Sequence, residues 1–260
     1  MSRLSQVQEK PFTKTLQFKN EKFDKKLKKV TQEKGWYYYV PSTVEGEKGT
    51  NVMVEMPFTA LWLLSAQSFS GYNELEKASV YSNEVLSERD LKDFFPKNTG
   101  ENVEDYYARL KSYMVLTAKM GKETIATGFY KDIKDAVVSK GGKYCQPNYF
   151  LAINEDGTTE IVRILFSGGS VETWIPFSGN KNGLKTKGVS FSGTTEKEKG
   201  SVQYDSPTFE FVDVDAKYVK AADAAAQTVV DYFKFLIGDS KTEVTELETA
   251  DTGEEKMPWD

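Results

Sequence analysis

The sequence predicts a mainly β fold with additional helices, of the α+β class. Three observations predict it. Most apolar residues fall in short runs rich in β-branched and aromatic side chains, turn residues separate these runs, and a helical period appears in only a few places. At 260 residues with 39% hydrophobic content, the chain is long enough for one large domain or two small ones.

The centre of the chain carries one ordered set of elements. In order they are a strand at 113–118, a strand at 124–129, a helix at 130–140, a strand at 144–153 and a strand at 158–166. Turn residues separate the two strands of each hairpin, and Gly141 follows the helix as a C-cap would. With a strand at 61–69 placed before them, this is the element order of the OB-fold, a five-stranded Greek-key barrel. We therefore expect an OB-fold-like barrel with additional strands and helices.

Residues 1–34 are predicted to be a basic N-terminal arm. They carry ten Lys or Arg residues against four Asp or Glu residues, which favours a polyanionic partner. We expect an extended start around residues 12–18. A short lysine-rich helix is then expected over residues 20–33, because Phe23, Leu27 and Val30 would fall on one helical face.

Four consecutive aromatic residues open the predicted body, which spans residues 35–238. They are Trp36, Tyr37, Tyr38 and Tyr39. In a strand, Trp36 and Tyr38 would share one face and the other two rings the opposite face. One pair can therefore be core while the other is exposed, and the sequence leaves open whether all four rings pack inside.

Further segments complete the body. Residues 61–69 are the most apolar run and are expected to be core, whereas residues 86–109 are polar and are interpreted as an insertion or connection. Residues 178–200 are expected to form a mobile loop or an extended hairpin. The final helix is predicted at 215–237, where apolar residues recur on one stripe and Gly238 can end it.

Residues 239–260 have the opposite charge to the arm. They contain eight acidic residues against two lysines and few apolar side chains, so we expect a disordered acidic tail. Its charges can occupy a basic groove when nucleic acid is absent, while its apolar tip binds a pocket on another protein. The residues predicted to bind a partner are Glu254, Glu255, Met257, Pro258, Trp259 and Asp260.

Composition excludes several classes of enzyme. The chain has no histidine and one cysteine, Cys145, which removes Ser-His-Asp and Cys-His nucleophile systems and the common zinc sites. No dinucleotide-binding or P-loop glycine motif is present. The 39 Asp and Glu residues leave carboxylate-only metal chemistry open, but no acidic group has a spacing that points to it. We therefore expect a non-enzyme without cofactor or metal.

The sequence also gives an expectation for location. No apolar run approaches the roughly 18 residues that a membrane helix needs, and residues 1–33 lack the apolar core of a signal peptide. A single cysteine fits a reducing compartment. We expect a cytoplasmic protein with no membrane partner. The sequence leaves its oligomeric state open, a homo-oligomer included.

Taken together, the OB-like element order, the basic and aromatic body and the acidic tail ending Met-Pro-Trp-Asp resemble a single-stranded DNA-binding protein. Bacterial members of that class end in an acidic tail with an Asp-Ile-Pro-Phe-like tip. Residues 81–85, 128–134 and 174–177 further resemble proteins of bacteriophages and mobile elements with this role. Here the aromatic residue lies one position before the end, and the body is longer than a minimal OB domain.

The resemblance implies sequence-tolerant binding and protection of single-stranded DNA during replication, recombination and repair in a bacterial host cell. Lysines would neutralise phosphates while aromatic rings stack on bases. The tail would recruit replication or recombination proteins. The predicted DNA-binding residues are Lys119, Lys122, Tyr130, Lys131, Lys143, Tyr144, Trp36, Tyr38 and Tyr72. Two alternatives stay open: a phage interaction or inhibitor protein that binds only proteins, and an RNA-binding OB module.

Overall fold

A computed structural model of the chain describes residues 10–24, 26–43, 49–200 and 202–239. The described residues confirm a mainly β protein with helices. The strands are β1 Lys14–Lys19, β2 Lys22–Asp24, β3 Lys29–Gln32, β4 Gly35–Val40, β5 Thr50–Met53, β6 Phe58–Asn73, β7 Ala78–Ser82, β8 Val85–Leu86, β9 Leu116–Met120, β10 Glu123–Gly128, β11 Gly142–Ile153, β12 Thr159–Ser167, β13 Gly188–Lys199 and β14 Val202–Val212. The helices are α1 Glu88–Phe94, α2 Val103–Ser112, α3 Tyr130–Ser139, α4 Gly169–Ser178, α5 Lys181–Thr186 and α6 Ala216–Asp239.

The described chain divides into two compact units. Unit 1 contains the residues up to Leu64 and those from Asn148 onward, and unit 2 contains Ser65–Pro147. The long strands β6 and β11 each contribute one part to each unit. The acidic tail predicted at 239–260 lies outside the described residues from position 240 onward, and so does the partner-binding tip.

Unit 1 is built on a mixed sheet with β1 near its centre. β1 pairs in parallel with β12 and antiparallel with β4, and β4 pairs with β5. Alternation along β1 turns Leu16 and Phe18 inward, where their cross-strand partners Tyr38 and Trp36 lie on the same face. β13 pairs with the start of β6 and forms a long antiparallel hairpin with β14. The core therefore collects side chains from strands that are far apart in the sequence.

A buried asparagine orders part of this core. Asn148 is fully buried, and its side-chain oxygen accepts hydrogen bonds from the indole N–H groups of Trp62 and Trp174, each at 3.2 Å. The Trp174 ring is also fully buried and stacks on Phe166, with 4.5 Å between the ring centroids. The prediction that residues 61–69 are core is confirmed, because most of this run is buried: Leu61, Leu63, Leu64, Ala66, Ser68 and Phe69.

Unit 2 is built on an antiparallel sheet in the order β10, β9, β7 and β6. One face of this sheet packs against α3. Val80 and Met120 are opposite each other across β7 and β9, and both are buried with Ile133 and Val137 of α3. The helix forms where the sequence changes from strand to helical period, so the prediction of a helix at 130–140 is confirmed.

A glycine in β6 permits close backbone contact in unit 2. A Cβ built on Gly71 would lie 2.1 Å from the carbonyl oxygen of Gly141. We expect Gly71→Ala to lower the free energy of unfolding by about 1–3 kcal/mol, because backbone atoms have to move to relieve the clash. Thermal unfolding of this variant beside the neighbouring Ser70→Ala measures the difference. Equal stability of the two variants would contradict the close approach.

The predicted OB-like barrel does not close. Its strands are present as β6, β9, β10, β11 and β12, with α3 after β10, but β9 and β10 belong to unit 2 and β12 runs in unit 1. β12 pairs with β1, and β9 pairs with β7 as well as β10. The described strands form open sheets in both units. Local patterns predict where strands occur, whereas the choice of partner depends on which distant faces pack together.

The lysine-rich helix predicted over residues 20–33 is wrong. The segment forms β2 and β3, an antiparallel pair in which Phe23 lies opposite Val30. The Asp24 carboxylate accepts hydrogen bonds from the backbone N–H groups of Lys26 and Leu27, which stabilises a turn at the place where a helix would continue. The three apolar residues assigned to a packed helical face are exposed instead.

Several other segments discussed from the sequence form strands or helices in the structure. Residues 14–19 of the predicted arm form β1 within the sheet of unit 1. The polar segment 86–109 contains α1 and the first part of α2, and the segment 178–200 contains α5 and one strand of the extended β13–β14 hairpin. The helix predicted at 215–237 is confirmed as α6. Among the described residues, no helix combines the length and apolarity that a membrane crossing requires.

Candidate nucleic-acid interface

The sheet of unit 2 has a second face that points away from α3. Because Val80 and Met120 point into the core, their neighbours Tyr81 and Lys119, which pair directly across β7 and β9, point to the opposite face. Tyr72 lies on the same face, two residues beyond Ser70, the partner of Tyr81 on β6. Tyr72, Tyr81 and Lys119 are all partly exposed.

Lys143 at the start of β11 joins this face. Its neighbour Tyr144 contacts Tyr130 on the core side, with 5.3 Å between ring centroids, so alternation turns Lys143 to the opposite side. We call Tyr72, Tyr81, Lys119 and Lys143 the open face. Two tyrosine rings and two ammonium groups therefore lie on one side of a single sheet.

The β9–β10 turn extends the open face at one end. The Tyr81 hydroxyl donates a hydrogen bond to the backbone carbonyl of Gly121 at 2.9 Å, which fixes this ring beside the turn. Gly121 has φ +57°, a conformation that favours glycine, and the next residue is the exposed Lys122. Lys122 is therefore held next to the open face by a defined turn.

Two of these lysines carry uncompensated charge. Within the described part of the chain, neither Lys119 nor Lys122 has a carboxylate at ion-pair distance. Elsewhere in unit 2, by contrast, Lys140 pairs with Glu76 at 3.0 Å. Ammonium groups without a carboxylate partner can bind a polyanion without first breaking an ion pair.

Tyr130, Lys131 and Tyr144 lie on the α3 side of the sheet and not on the open face. The Tyr130 ring stacks on the buried Phe69 with 5.2 Å between centroids. Burial raises the pKa of Tyr144 to about 12, helped by its neighbours Tyr130 and Cys145, and burial also raises the pKa of Tyr130. Both rings contribute to packing, and Lys131 is exposed on α3. The nine predicted residues therefore do not form one surface.

Trp36 and Tyr38 lie in unit 1. Trp36 is fully buried, and its ring contacts Phe18 and Phe191 edge-on with centroid distances of 5.5 and 5.4 Å. Trp36 is therefore a core residue with no face available for a base, which corrects its assignment. Tyr38 packs partly buried against the same core, and the Lys14 ammonium lies 5.0 Å from its ring centroid.

Tyr81 was not among the residues predicted from the sequence. It lies in a short run, Val80-Tyr81-Ser82, whose alternation indicates a strand with one buried side. That alternation was the available signal, but it does not show whether the outer side is covered. Only the pairing with Lys119 and Ser70 places Tyr81 beside other candidate residues.

The described residues give no sign of a metal centre. No group of three or more Cys, Asp or Glu side chains converges among residues 10–24, 26–43, 49–200 and 202–239. Comparisons with protein families, with curated proteins and with solved structures found no match to this chain. Any proposal about function therefore depends on the residues and geometry of this chain.

Proposed function

We propose that the protein binds single-stranded DNA without strong sequence preference and protects it during replication and recombination. One observation carries the proposal. Two tyrosines and two lysines lie on the face of the unit 2 sheet opposite α3, with Lys122 at its edge, and the Lys119 and Lys122 ammonium groups lack carboxylate partners in the described chain. A surface that combines lysines with partly exposed rings suits a flexible polyanion whose bases are unpaired.

The open face supplies both interactions that such binding needs. Phosphates are attracted to Lys119, Lys122 and Lys143, and bases stack on Tyr72 and Tyr81, which lie on neighbouring strands. Stacking does not discriminate strongly among bases because every base has a π-face. A duplex has its bases already stacked, so it can use only the electrostatic part of this surface.

The acidic tail has a separate role in the proposal. Its eight acidic residues are repelled by bound phosphates, which leaves the tip with Trp259 available to recruit replication or recombination proteins. This part of the proposal depends on sequence alone, because the tip is outside the described residues.

A comparative titration tests the proposal. Intrinsic tyrosine and tryptophan fluorescence is followed at low salt while oligothymidylate, an RNA of the same length or duplex DNA is added. We expect quenching that is strongest with oligothymidylate and that weakens as salt increases, because counterions are released on binding. Stronger binding of RNA would favour an RNA-binding module, and no salt-sensitive binding of any polynucleotide would favour a protein-binding role.

Charge reversal of one lysine gives a sharper prediction. We expect Lys119→Glu to weaken oligothymidylate binding and to reduce the slope of log affinity against log salt by about 0.7 or more, since one phosphate contact is lost. The control is Lys134→Glu, which makes the same change on α3, on the other side of the sheet. An equal effect of both variants would indicate a general charge effect and would contradict the assignment of the open face.

A further inference from the structure

Unit 1 contains a short exposed hairpin with an unusual combination of side chains. It consists of β2, β3 and the turn between them, and we call it the basic hairpin. Phe23, Leu27 and Val30 are 56%, 61% and 43% exposed. Apolar side chains of this size normally pack inside a protein, and a cluster of them on a surface commonly marks a binding site.

The basic hairpin is held in shape by its own hydrogen bonds. The Asp24 carboxylate accepts from the backbone N–H groups of Lys26 and Leu27 at 2.7 and 2.9 Å. The Thr31 hydroxyl donates to the backbone carbonyl of Lys22 at 3.2 Å. The turn is therefore built to present Leu27 and its neighbours outward.

The base of the hairpin is fixed to β14. The Gln32 side chain donates to the backbone carbonyl of Asn20 at 2.8 Å, and the Asn20 side chain accepts from the backbone N–H of Asp205 at 2.8 Å. Lys34 pairs with the Asp205 carboxylate at 3.0 Å. These contacts hold the strands at their root, while residues 26–30 are all exposed.

The hairpin carries positive charge that the described residues do not neutralise. Lys22, Lys26, Lys28 and Lys29 have no ion-pair partner in the described parts of the chain. The acidic residue within the hairpin, Asp24, directs its carboxylate to the turn. The hairpin therefore attracts anions.

The aromatic ring lies on the same hairpin as these charges. Phe23 and Val30 are cross-strand partners and share one face of the hairpin, whereas Lys22 and Lys29 point to the other face and Lys26 and Lys28 lie in the turn. An exposed ring on a hairpin that also carries ammonium groups at its turn and on its other face offers the two interactions that bind a single strand: base stacking and phosphate neutralisation. This favours a nucleic acid over a partner recognised by apolar area alone.

We propose that the basic hairpin is a second contact for single-stranded DNA, separate from the open face, in which Phe23 stacks on a base while the lysines bind the flanking phosphates. The inference rests on the proposed function, because it assigns a further contact to the same ligand. It gives a use to Phe23, one of the three apolar side chains that the sequence places on a buried helical face and the structure exposes.

The proposed stacking of Phe23 is tested by a substitution that separates ring stacking from apolar contact. Phe23→Leu keeps an apolar side chain but removes the ring, and we expect it to weaken oligothymidylate binding by at least about fivefold. Leu27→Ala removes a more exposed apolar residue with no ring and should leave the affinity unchanged. Leu75→Ala, at a turn of unit 2 where the side chain is 94% exposed, is the control for loss of any exposed leucine.

The charges are tested by the double variant Lys26→Glu/Lys28→Glu. We expect the slope of log affinity against log salt to fall by about 1.4, twice the contribution of one phosphate contact in a single strand. Circular dichroism of all variants should match that of the unchanged protein, because every substituted side chain is exposed.

The outcomes distinguish the two proposals. If the unchanged protein fails to bind any oligonucleotide, both are overturned. If it binds, and Lys119→Glu weakens binding while Phe23→Leu and Lys26→Glu/Lys28→Glu do not, the hairpin inference alone is overturned. Binding to phosphatidylserine vesicles that Leu27→Ala abolishes, with DNA affinity unchanged by Phe23→Leu, would overturn it in favour of a lipid surface.

Discussion

Replacing Tyr72 and Tyr81 together with alanine is expected to weaken binding of oligothymidylate by about a hundredfold. Each ring is proposed to stack on one base, and each stacked base contributes about 1–3 kcal/mol to binding in proteins that bind single strands. Two such losses give a factor of this size, since 1.4 kcal/mol corresponds to tenfold in affinity. Fluorescence anisotropy of a labelled oligothymidylate at one fixed salt concentration measures the change.

Two matched variants separate stacking from other effects of the substitutions. The double variant Tyr72→Phe/Tyr81→Phe keeps both rings and should retain most of the affinity, although it loses the hydrogen bond from Tyr81 to Gly121. Tyr107→Ala removes a partly exposed tyrosine from α2 of the same unit and should bind normally. Unchanged binding by the double alanine variant would exclude the open face as the site of stacking.

Replacing Trp174 with alanine is expected to lower the free energy of unfolding by about 3–5 kcal/mol. The indole is fully buried, stacks on Phe166 and donates its N–H to the buried Asn148. Alanine leaves a cavity in the core of unit 1. It also removes the indole N–H that donates a hydrogen bond to the side-chain oxygen of Asn148.

Urea unfolding followed by circular dichroism measures this effect. Ile175→Ala is the matched control, because Ile175 is the next residue of α4 and its side chain is half exposed. We expect Ile175→Ala to lower the free energy of unfolding much less than Trp174→Ala does. If Trp174→Ala lowered the free energy of unfolding by less than about 1 kcal/mol, the result would be inconsistent with tight packing around the indole.

The two faces of the unit 2 sheet separate candidate residues that are close in the sequence. In the sequence, Lys119, Lys122, Tyr130 and Lys131 are close neighbours and suggest one surface. In the structure, Lys119 lies on the open face while Tyr130 packs with Phe69 on the opposite side of the sheet. Sequence distance therefore did not predict which residues share a face.

The segment from residue 20 to 33 shows a second reason why a prediction from the sequence can fail. Phe23, Leu27 and Val30 fit a helical stripe, and a stripe indicates a helix only if another surface covers it. No covering surface exists in the described chain, since all three side chains are exposed. The Asp24 turn and the Phe23–Val30 pairing then favour a hairpin.

Local periodicity alone determined several elements of this protein. α3, α6 and β10 occur where the pattern of apolar residues predicts them, because their stabilising contacts lie within a few residues or on one continuous stripe, whereas β9 begins three residues after the start of the strand predicted at 113–118. Tertiary structure alone decided the parallel pairing of β1 with β12, the open sheets and the side of the sheet on which Tyr81 and Lys119 meet. The physical reason is that alternation specifies two faces of a strand, whereas burial of one face depends on a partner that comes from a distant part of the chain.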